Sequence, residues 1–349
     1  MQKLKFLKRV SAFLCIFSLT LCLMSGCTKQ SDGALKTFEF FGYFDTVSSL
    51  KLYESDKDRL SETKDSFEQL LSDYDSLLDI YESHGDTVNL YDVNLNAGKE
   101  PITVDERLFA ALEFGKEMHT LTNGECNIAL GSVISLWHDA REHAKAEPQN
   151  AYIPNESDIS EALLHRDIRS VILDKETLSV QITDKKLSLD LGAIAKGYVA
   201  QKASELLCQL GYDDFIINLG GNVLASGKKS DGSSWSAMIE NPFDDGREGY
   251  GEIIELNDRT LVTSGSYQRF YIVDGKKYSH IVSNTDGVPP EIFASVSIIA
   301  PAESSGMADA LSTALFCMEL ERGKELITSL DGVEAIWIHS DGSVTCSFE

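Results

Sequence analysis

The chain has 349 residues, of which 55 are acidic and 31 are basic, and its formal net charge is −24. Residues 1–26 hold four of the basic residues and no acidic ones, so the remainder carries 27 basic against 55 acidic residues, a net charge of −28. So acidic a surface argues against nucleic acid or anionic lipid as a partner, because both repel negative charge. The roughly 320 residues beyond this segment are enough for a large hydrophobic core.

The N-terminal segment is typical of an export signal. Basic residues cluster within positions 3–9, and an apolar stretch over 10–23 follows that is short for a membrane span. Small residues directly before Cys27 resemble a bacterial lipobox, although a methionine stands where leucine is usual. We expect residues 1–26 to be a lipoprotein signal peptide, Cys27 to carry the lipid, and residues 27–36 to form a polar tether. The alternative is an ordinary signal peptide that happens to contain a cysteine.

A lipid on Cys27 would anchor the protein to the cell membrane on its extracytoplasmic side, and residues 37–349 would form the working domain. Four cysteines lie within that domain, and none belongs to a CxxC pair, so a zinc or thiol-redox motif lacks support. Cys208 and Cys317 fall on apolar helix faces and are predicted to be packing residues. The sequence alone does not decide whether two of these four cysteines form a disulfide bond.

In chain order, the first predicted element is a strand within Thr37–Tyr53, where aromatic residues are dense. Apolar residues at helical spacing predict a helix over Asp56–Ile80. The capping-box pattern Thr103–Glu106 predicts the start of another helix. The polar segment Ala140–Asp158 contains two prolines and is predicted to be a surface insertion. Alternating residues then predict a hairpin within 169–182.

The second half is predicted to begin with a helix over Ile194–Leu210, stopped by Gly211. Strands and turns are expected from Phe215 to Val273, and the Asp-Gly pair that follows is a strong hairpin signal. A further helix over Ser305–Met318 precedes two closing strands. Hairpins outnumber βαβ crossovers, so the sequence predicts an α+β fold of antiparallel sheets with packed helices, not a doubly wound sheet.

The most informative motif is Asp-Leu-Gly-Ala-Ile-Ala-Lys-Gly-Tyr, which runs from Asp190 to Tyr198. A helix is predicted to begin directly after its glycine-containing turn. Free backbone N–H groups and the positive end of the helix dipole would then point to one spot. Lys196 adds a cation within the first turn. The sequence therefore predicts a phosphate or pyrophosphate site here.

A second motif lies within Gly306–Leu315. Asp309 and Thr313 are four positions apart on a predicted helix, so they share one face. A carboxylate and a hydroxyl are hard oxygen ligands that suit Mg²⁺, which commonly shares its coordination shell with substrate phosphates. Taken alone, the pattern is also that of a polar stripe on an amphipathic helix.

A third motif comprises Thr263–Tyr267 and the later segment Tyr278–Ile281. A histidine at the end of a strand can accept a proton from a hydroxyl near neutral pH, which makes His280 a candidate general base. The alternative is a structural histidine on a sheet. His138 and His143 show no metal-ligand spacing and are predicted to be solvated.

Together these motifs resemble those of the ApbE-type FAD:protein FMN transferases, in the same order along the chain. The resemblance implies a tunnelling-like fold, FAD as substrate and Mg²⁺ as cofactor. It further implies that the backbone carbonyl of Ala193 joins Asp309 and Thr313 as a metal ligand. The FAD-contacting residues that it implies are Phe44, Tyr81, Glu125, Cys126, Asn127, Asp190, Lys196 and Ile281, with Lys196 and His280 at the reacting groups. Tyr81 could equally be a core residue at a helix end.

Two segments depart from the family pattern. The family has Ser-x-Gly-Ala-Phe-Asp where this chain has Thr122–Asn127, so Cys126 replaces Phe and Asn127 replaces Asp. The family has Asp/Asn-Pro-x-Thr-Gly where this chain has Ser283–Gly287, which keeps only the length and the final glycine. The resemblance therefore does not extend to the contact of this second loop with nucleotide or acceptor.

The resulting expectation is a Mg²⁺-dependent enzyme that transfers FMN from FAD to a Ser or Thr hydroxyl of an acceptor protein and releases AMP. An exported flavoprotein, such as a subunit of a membrane redox complex, is the expected acceptor. The first alternative is an FAD pyrophosphatase that uses water as nucleophile at the same site. The second is a flavin-binding lipoprotein without catalytic activity.

Overall fold

The computed structural model describes residues 33–243 and 251–348. The predicted signal peptide and Cys27 lie outside these residues. The first strand begins at Ala34, so the last three residues of the predicted tether belong to the folded domain. Within the described ranges, no helix combines the length and apolar character needed to cross a membrane.

The central element is an eight-stranded sheet, in which every neighbouring pair is antiparallel. From one edge to the other, its strands are β1 (Ala34–Tyr43), β2 (Thr46–Glu54), β6 (Phe215–Leu219), β7 (Asn222–Ser226), β10 (Arg259–Gly265), β13 (Phe293–Pro301), β14 (Glu334–His339) and β15 (Val344–Cys346).

Smaller elements surround this sheet. One small sheet contains β3 (Ile102–Thr103), β4 (Val171–Asp174) and β5 (Ser179–Ile182). Two further pairs of strands are β8 (Trp235–Ile239) with β9 (Glu252–Leu256), and β11 (Phe270–Val273) with β12 (Lys276–Ser279). The helices are α1 (Lys57–Leu78), α2 (Leu90–Leu95), α3 (Glu106–Leu121), α4 (Gly131–Ala146), α5 (Glu156–Leu163), α6 (Ala195–Gln209), α7 (Ser305–Cys317) and α8 (Leu320–Thr328). The α+β prediction with antiparallel sheets is confirmed.

Both faces of the large sheet are covered over its central strands. On one face, side chains such as Leu50 and Phe215 pack with helices α1, α6 and α7 into the main core. On the other face, Trp235 and Leu256 of the β8–β9 hairpin pack against Val223 and neighbouring residues. This burial explains why β13 is buried along almost its whole length instead of alternating.

Four local predictions need correction. Thr37–Tyr53 is not one strand but most of a hairpin, because the chain turns between β1 and β2. Helix α3 is capped by Asp105, whose side chain accepts from the Arg107 N–H, and not by Thr103. The predicted insertion begins too early, because α4 continues through Ala146. Cys208 is exposed on α6 and is not a packing residue.

Candidate active site

The predicted site residues converge on one cavity. Its volume is about 1020 Å³, and it opens among the ends of β2, β6 and β10, the N-terminus of α6 and one face of α4. The residues predicted to bind FAD, to bind the metal ion or to catalyse the reaction all line it, namely Phe44, Tyr81, Glu125, Cys126, Asn127, Asp190, Ala193, Lys196, His280, Ile281, Asp309 and Thr313. Residues separated by more than 260 positions in the chain therefore share one pocket of the size that holds a small-molecule ligand.

The N-terminus of α6 lies at this cavity, but fewer of its N–H groups are free than the sequence predicted. Asp190 Oδ1 accepts from the Gly192 N–H at 2.7 Å and closes the preceding turn. The Gly197 N–H donates to Asp309 Oδ2 at 2.8 Å, which joins α6 to α7. The Ala195 N–H donates to the carbonyl of Leu191. A phosphate at this helix end would therefore depend largely on Lys196.

Gly197 permits the close contact of α6 with α7 that places Asp309 there. A Cβ at this position would collide with the carbonyl oxygen of Ser305 and lie 2.5 Å from Asp309 Cβ. No other residue fits between the two helices without moving one of them. The glycine in the Lys-Gly-Tyr motif is thus explained by helix packing.

Replacing Gly197 by alanine is expected to destabilise the fold by about 1–3 kcal/mol, because the helices must separate to accommodate the methyl group. Denaturant unfolding followed by circular dichroism measures this. Gly251→Ala is the matched control, since the nearest atom that the described residues place against an added Cβ there is the carbonyl oxygen of Ile239, 3.9 Å away. Equal unfolding midpoints for the two variants would contradict the packing account.

Asp309 is a buried carboxylate with little local compensation. Its residue is 3% exposed, and burial raises the pKa of its carboxyl group, an effect that the charge of Lys196 opposes. Among the described residues, no Lys, Arg or His lies within ion-pair distance of it. A carboxylate in these surroundings is stabilised by a cation, because burial of an unpaired charge is costly.

The oxygen atoms that could coordinate a metal ion beside Asp309 suit a hard divalent cation. The Thr313 hydroxyl lies 3.2 Å from Ser264 Oγ, and it lines the cavity together with Asp309 and Ala193. One carboxylate, one hydroxyl and a backbone carbonyl are oxygen ligands, which Mg²⁺ prefers, and they leave coordination positions for substrate phosphates and water. The residues present therefore fit the predicted ion.

His280 is held in one tautomer. Its backbone N–H and its Nδ1 both contact the carbonyl oxygen of Arg269, at 3.0 and 3.1 Å. Because a carbonyl only accepts, Nδ1 carries the proton and Nε2 keeps a free lone pair. Burial, with the nearby charge of Lys196, lowers the pKa of His280 to about 4. The imidazole is therefore neutral at physiological pH and able to accept a proton.

The turn between β1 and β2 forms another wall of the cavity. Phe44 and Asp45 both have positive φ, at 53° and 52°, between the paired residues Tyr43 and Thr46. This is the backbone of a type I′ hairpin turn, which Gly, Asn and Asp favour and which costs a bulky residue such as Phe44 about 1–2 kcal/mol. Asp75 Oδ1 accepts from the Phe44 N–H at 2.7 Å and helps to hold it.

Tyr81 is not a core residue, because it is 61% exposed and lines the cavity. Its ring lies 5.2 Å from that of His138, and its hydroxyl is 3.3 Å from His138 Nδ1. His138, which is half-buried, and Arg141 also line the cavity, so His138 belongs to the candidate site, a role that the sequence analysis did not assign to it. Helical spacing could have revealed both residues, since Ile134, Trp137, His138 and Arg141 share one face of α4.

The two departures from the family pattern contact each other. Asn127 Nδ2 donates to the backbone carbonyl of Arg166 at 2.9 Å and to Asn284 Oδ1 at 3.0 Å. An aspartate at position 127 would place a carboxylate against these two acceptors. The loop that contains Asn284 thus remains tied to the cavity wall through an amide pair.

Glu125 and Cys126 are fixed by burial. The Glu125 side chain is 8% exposed and pairs with Arg322 of α8 at 2.9 Å. Burial raises the pKa of the Cys126 thiol to about 12, so this cysteine is protonated and serves in packing. Arg322 thus orients the Glu125 carboxylate at the cavity wall, and the Cys126 thiol takes no part in proton transfer.

Comparison with known proteins is consistent with this site. The ApbE family model matches residues 44–337. A Treponema pallidum (strain Nichols) protein named FAD:protein FMN transferase is 33% identical over 282 residues, which cover 77% of this chain and 75% of that protein. One of the same name from Klebsiella pneumoniae (strain 342) is 30% identical over 299 residues, 85% of this chain and 87% of that protein. The crystal structure of an ApbE protein from Thermotoga maritima has the same fold, with a TM-score of 0.77 at 23% identity over 90% of this chain and 97% of that one.

Proposed function

Since the chain belongs to the ApbE family, we propose that it is an enzyme that transfers FMN from FAD to a Ser or Thr hydroxyl of an acceptor protein and releases AMP. The observation that carries this proposal is the convergence of the motif residues on a single cavity of about 1020 Å³. The relatives named FAD:protein FMN transferase support the same reaction.

The proposed reaction is a phosphoryl substitution at the FMN phosphorus. The acceptor hydroxyl oxygen forms a bond to this phosphorus, and the anhydride bond to AMP breaks. His280 Nε2 takes the hydroxyl proton, since its Nδ1 is committed to the Arg269 carbonyl. FAD already supplies an activated phosphoanhydride, so the protein acts mainly through positioning and electrostatics.

Asp309, Thr313 and the Ala193 carbonyl would hold Mg²⁺. When bound, the ion would supply positive charge to the pyrophosphate oxygens and to the leaving AMP. Lys196 contributes a second positive charge at the same end of the cavity and would help to hold phosphate. This local concentration of cations is what an acidic protein needs in order to bind an anionic substrate.

The expected pH dependence of kcat/KM follows from the low pKa of His280, about 4, because the neutral imidazole is the proposed base. With saturating Mg²⁺ to keep the Asp309 carboxylate ionised, protonation of His280 removes the base, so kcat/KM for FAD should stay level through neutral pH and fall only as the pH approaches that value. A bound cation would lower the pKa further in the same direction. The measurement is AMP release across a buffered pH series with FAD below KM. An acid limb centred near the ordinary histidine value of about 6.5 would contradict this assignment.

The function is tested by incubating the protein with FAD, Mg²⁺ and a membrane extract, then separating the denatured proteins and detecting covalent flavin fluorescence. Labelled acceptor and AMP in equal amounts support the transferase. Free FMN with AMP and no labelled protein identifies an FAD pyrophosphatase. Flavin binding without AMP identifies a non-catalytic flavin-binding protein.

We further propose that Cys27 is lipidated and anchors the enzyme to the extracytoplasmic side of the cell membrane, where it meets an exported acceptor such as a redox-complex subunit. The lipobox-like sequence before Cys27 supports this. Cys27→Ser should release an active enzyme from the membrane fraction, because the cavity residues lie far beyond it in the chain. The measurement is labelling with a fatty-acid analogue, and a wild-type chain that never takes up the label would contradict it.

A further inference from the structure

We propose that Arg269 is a positioning residue that holds the Phe44–Asp45 turn and the imidazole of His280 in one arrangement across the cavity. This inference rests on the proposed function, because it assigns Arg269 a part in the same reaction. Neither the sequence motifs nor the predicted ligand set includes this residue.

The backbone of Arg269 sets the tautomer of His280. Arg269 directly precedes β11 and His280 directly follows β12, and the end pair of this hairpin, Phe270 and Ser279, brings the two together. One carbonyl oxygen therefore accepts both the N–H and the Nδ1–H of His280. Any shift of Arg269 along the hairpin would move the imidazole with it.

The side chain of Arg269 reaches the strained turn. Its Nη2 lies 3.3 Å from the carbonyl oxygen of Asp45 and 3.5 Å from that of Phe44, and its Nη1 lies 3.9 Å from Asp45 Oδ2. Asp75 holds the same turn from the other side through the Phe44 N–H. The two contacts together satisfy backbone groups of a turn in which Phe44 adopts a positive φ that a bulky side chain does not favour.

Arg269 therefore connects two walls of the cavity that are about 225 positions apart in the chain. Phe44 belongs to the predicted FAD-binding set, and His280 is the predicted base. A planar guanidinium presents its N–H donors to both carbonyl oxygens in a fixed fork, whereas a lysine ammonium carries its three donors on a flexible stem and holds such a geometry less firmly. Loss of this contact should let the turn and the hairpin move independently.

The charge of Arg269 also affects His280. The cations that act on this imidazole are Lys196 of α6, Arg141 of α4 and Arg269 itself, and each disfavours its protonation. Removal of one cation makes protonation easier. A variant without this charge should therefore lose activity at a higher pH than the wild type does.

The test compares Arg269→Gln, Arg269→Lys and the double variant Asp45→Gly/Arg269→Gln by AMP release from FAD in the presence of Mg²⁺ and the membrane extract that supplies the acceptor, with kcat, KM and the acid limb measured for each. Arg269→Gln should lower kcat about ten- to hundredfold and move the acid limb to higher pH. Arg269→Lys keeps the positive charge but not the guanidinium, so its acid limb should match that of the wild type while its kcat stays as low as that of Arg269→Gln. Gly at position 45 adopts a positive φ more readily than Asp does, so the double variant should recover part of the kcat that Arg269→Gln loses while its acid limb stays shifted.

Wild-type values of kcat and acid limb in Arg269→Gln would overturn the proposal. Full kcat in Arg269→Lys would also overturn it, because charge alone would then suffice. If kcat of Arg269→Gln falls only in proportion to the fraction of folded protein, and the double variant shows no recovery, then Arg269 has a structural role alone. If the wild type itself releases no AMP, it is the proposed function that fails, and FAD affinity measured by fluorescence still shows whether Arg269 positions Phe44.

Discussion

Asp309→Ala is expected to lower AMP release from FAD by about three orders of magnitude or more. Asp309 is the only carboxylate in the predicted metal-ligand set, and it is buried at the junction of α6 and α7. Without it, the pyrophosphate and the leaving AMP lose charge compensation within a strongly acidic protein. Neither Thr313 nor a water molecule supplies the missing charge.

The same substitution should leave the fold intact. Burial raises the pKa of the Asp309 carboxyl group, which means that the charged form is unfavourable where it lies. Its removal leaves the Gly197 N–H without a partner, a cost of about 1–3 kcal/mol that the lost desolvation penalty offsets. Near-wild-type thermal unfolding of the metal-free variant checks this.

Ser312→Ala is the matched control for Asp309→Ala. Ser312 is equally buried on α7 and its hydroxyl donates to the Asp309 carbonyl, but it does not line the cavity. It should retain most of the activity. Thr313→Ala should fall between the two, because water can replace a neutral ligand. Full activity of Asp309→Ala in the presence of Mg²⁺ would rule out the metal site proposed here.

His280→Ala is expected to lower kcat by about 10²- to 10⁴-fold, the range of a positioned general base, while FAD affinity changes little. His280 meets the requirements for this role, because its Nδ1 is fixed by the Arg269 carbonyl and its pKa is low. The alanine variant keeps the backbone N–H contact with Arg269, so the β11–β12 hairpin should be preserved.

Single-turnover AMP release and FAD titration of His280→Ala separate chemistry from binding. Added imidazole should restore part of the rate, since the cavity would then have room for the missing ring. A variant that loses FAD affinity in proportion to kcat would show instead that His280 binds the substrate.

Much of the fold was predictable from local signals. The Asp274-Gly275 turn, the helix that ends before Gly211 and the hairpin within 169–182 are each encoded by a few neighbouring residues, and the structure contains all three. The hairpin of β1 and β2 was missed because its turn begins with Phe44, which is not a usual type I′ residue, and lacks a glycine at its second position. That local sequence does not specify the turn; contacts with Asp75 and Arg269 support it.

The site was predictable only where a motif is continuous in sequence. The segment from Asp190 to Tyr198 indicated an anion site, but the sequence could not show that Asp309 already accepts the Gly197 N–H. That bond joins residues 112 positions apart. Arg269 and His138 were missed for the same reason, since their roles depend on which distant side chains they meet.

The central claim is that this chain transfers FMN to a protein hydroxyl, and the most direct test is mass spectrometry of the labelled acceptor. Wild-type enzyme, FAD and Mg²⁺ should give a peptide in which one Ser or Thr carries FMN through a phosphate ester, with one AMP released for each ester formed. EDTA or Asp309→Ala should abolish both products. Equal AMP release with and without acceptor, and free FMN as the sole flavin product, would contradict the account and identify a hydrolase.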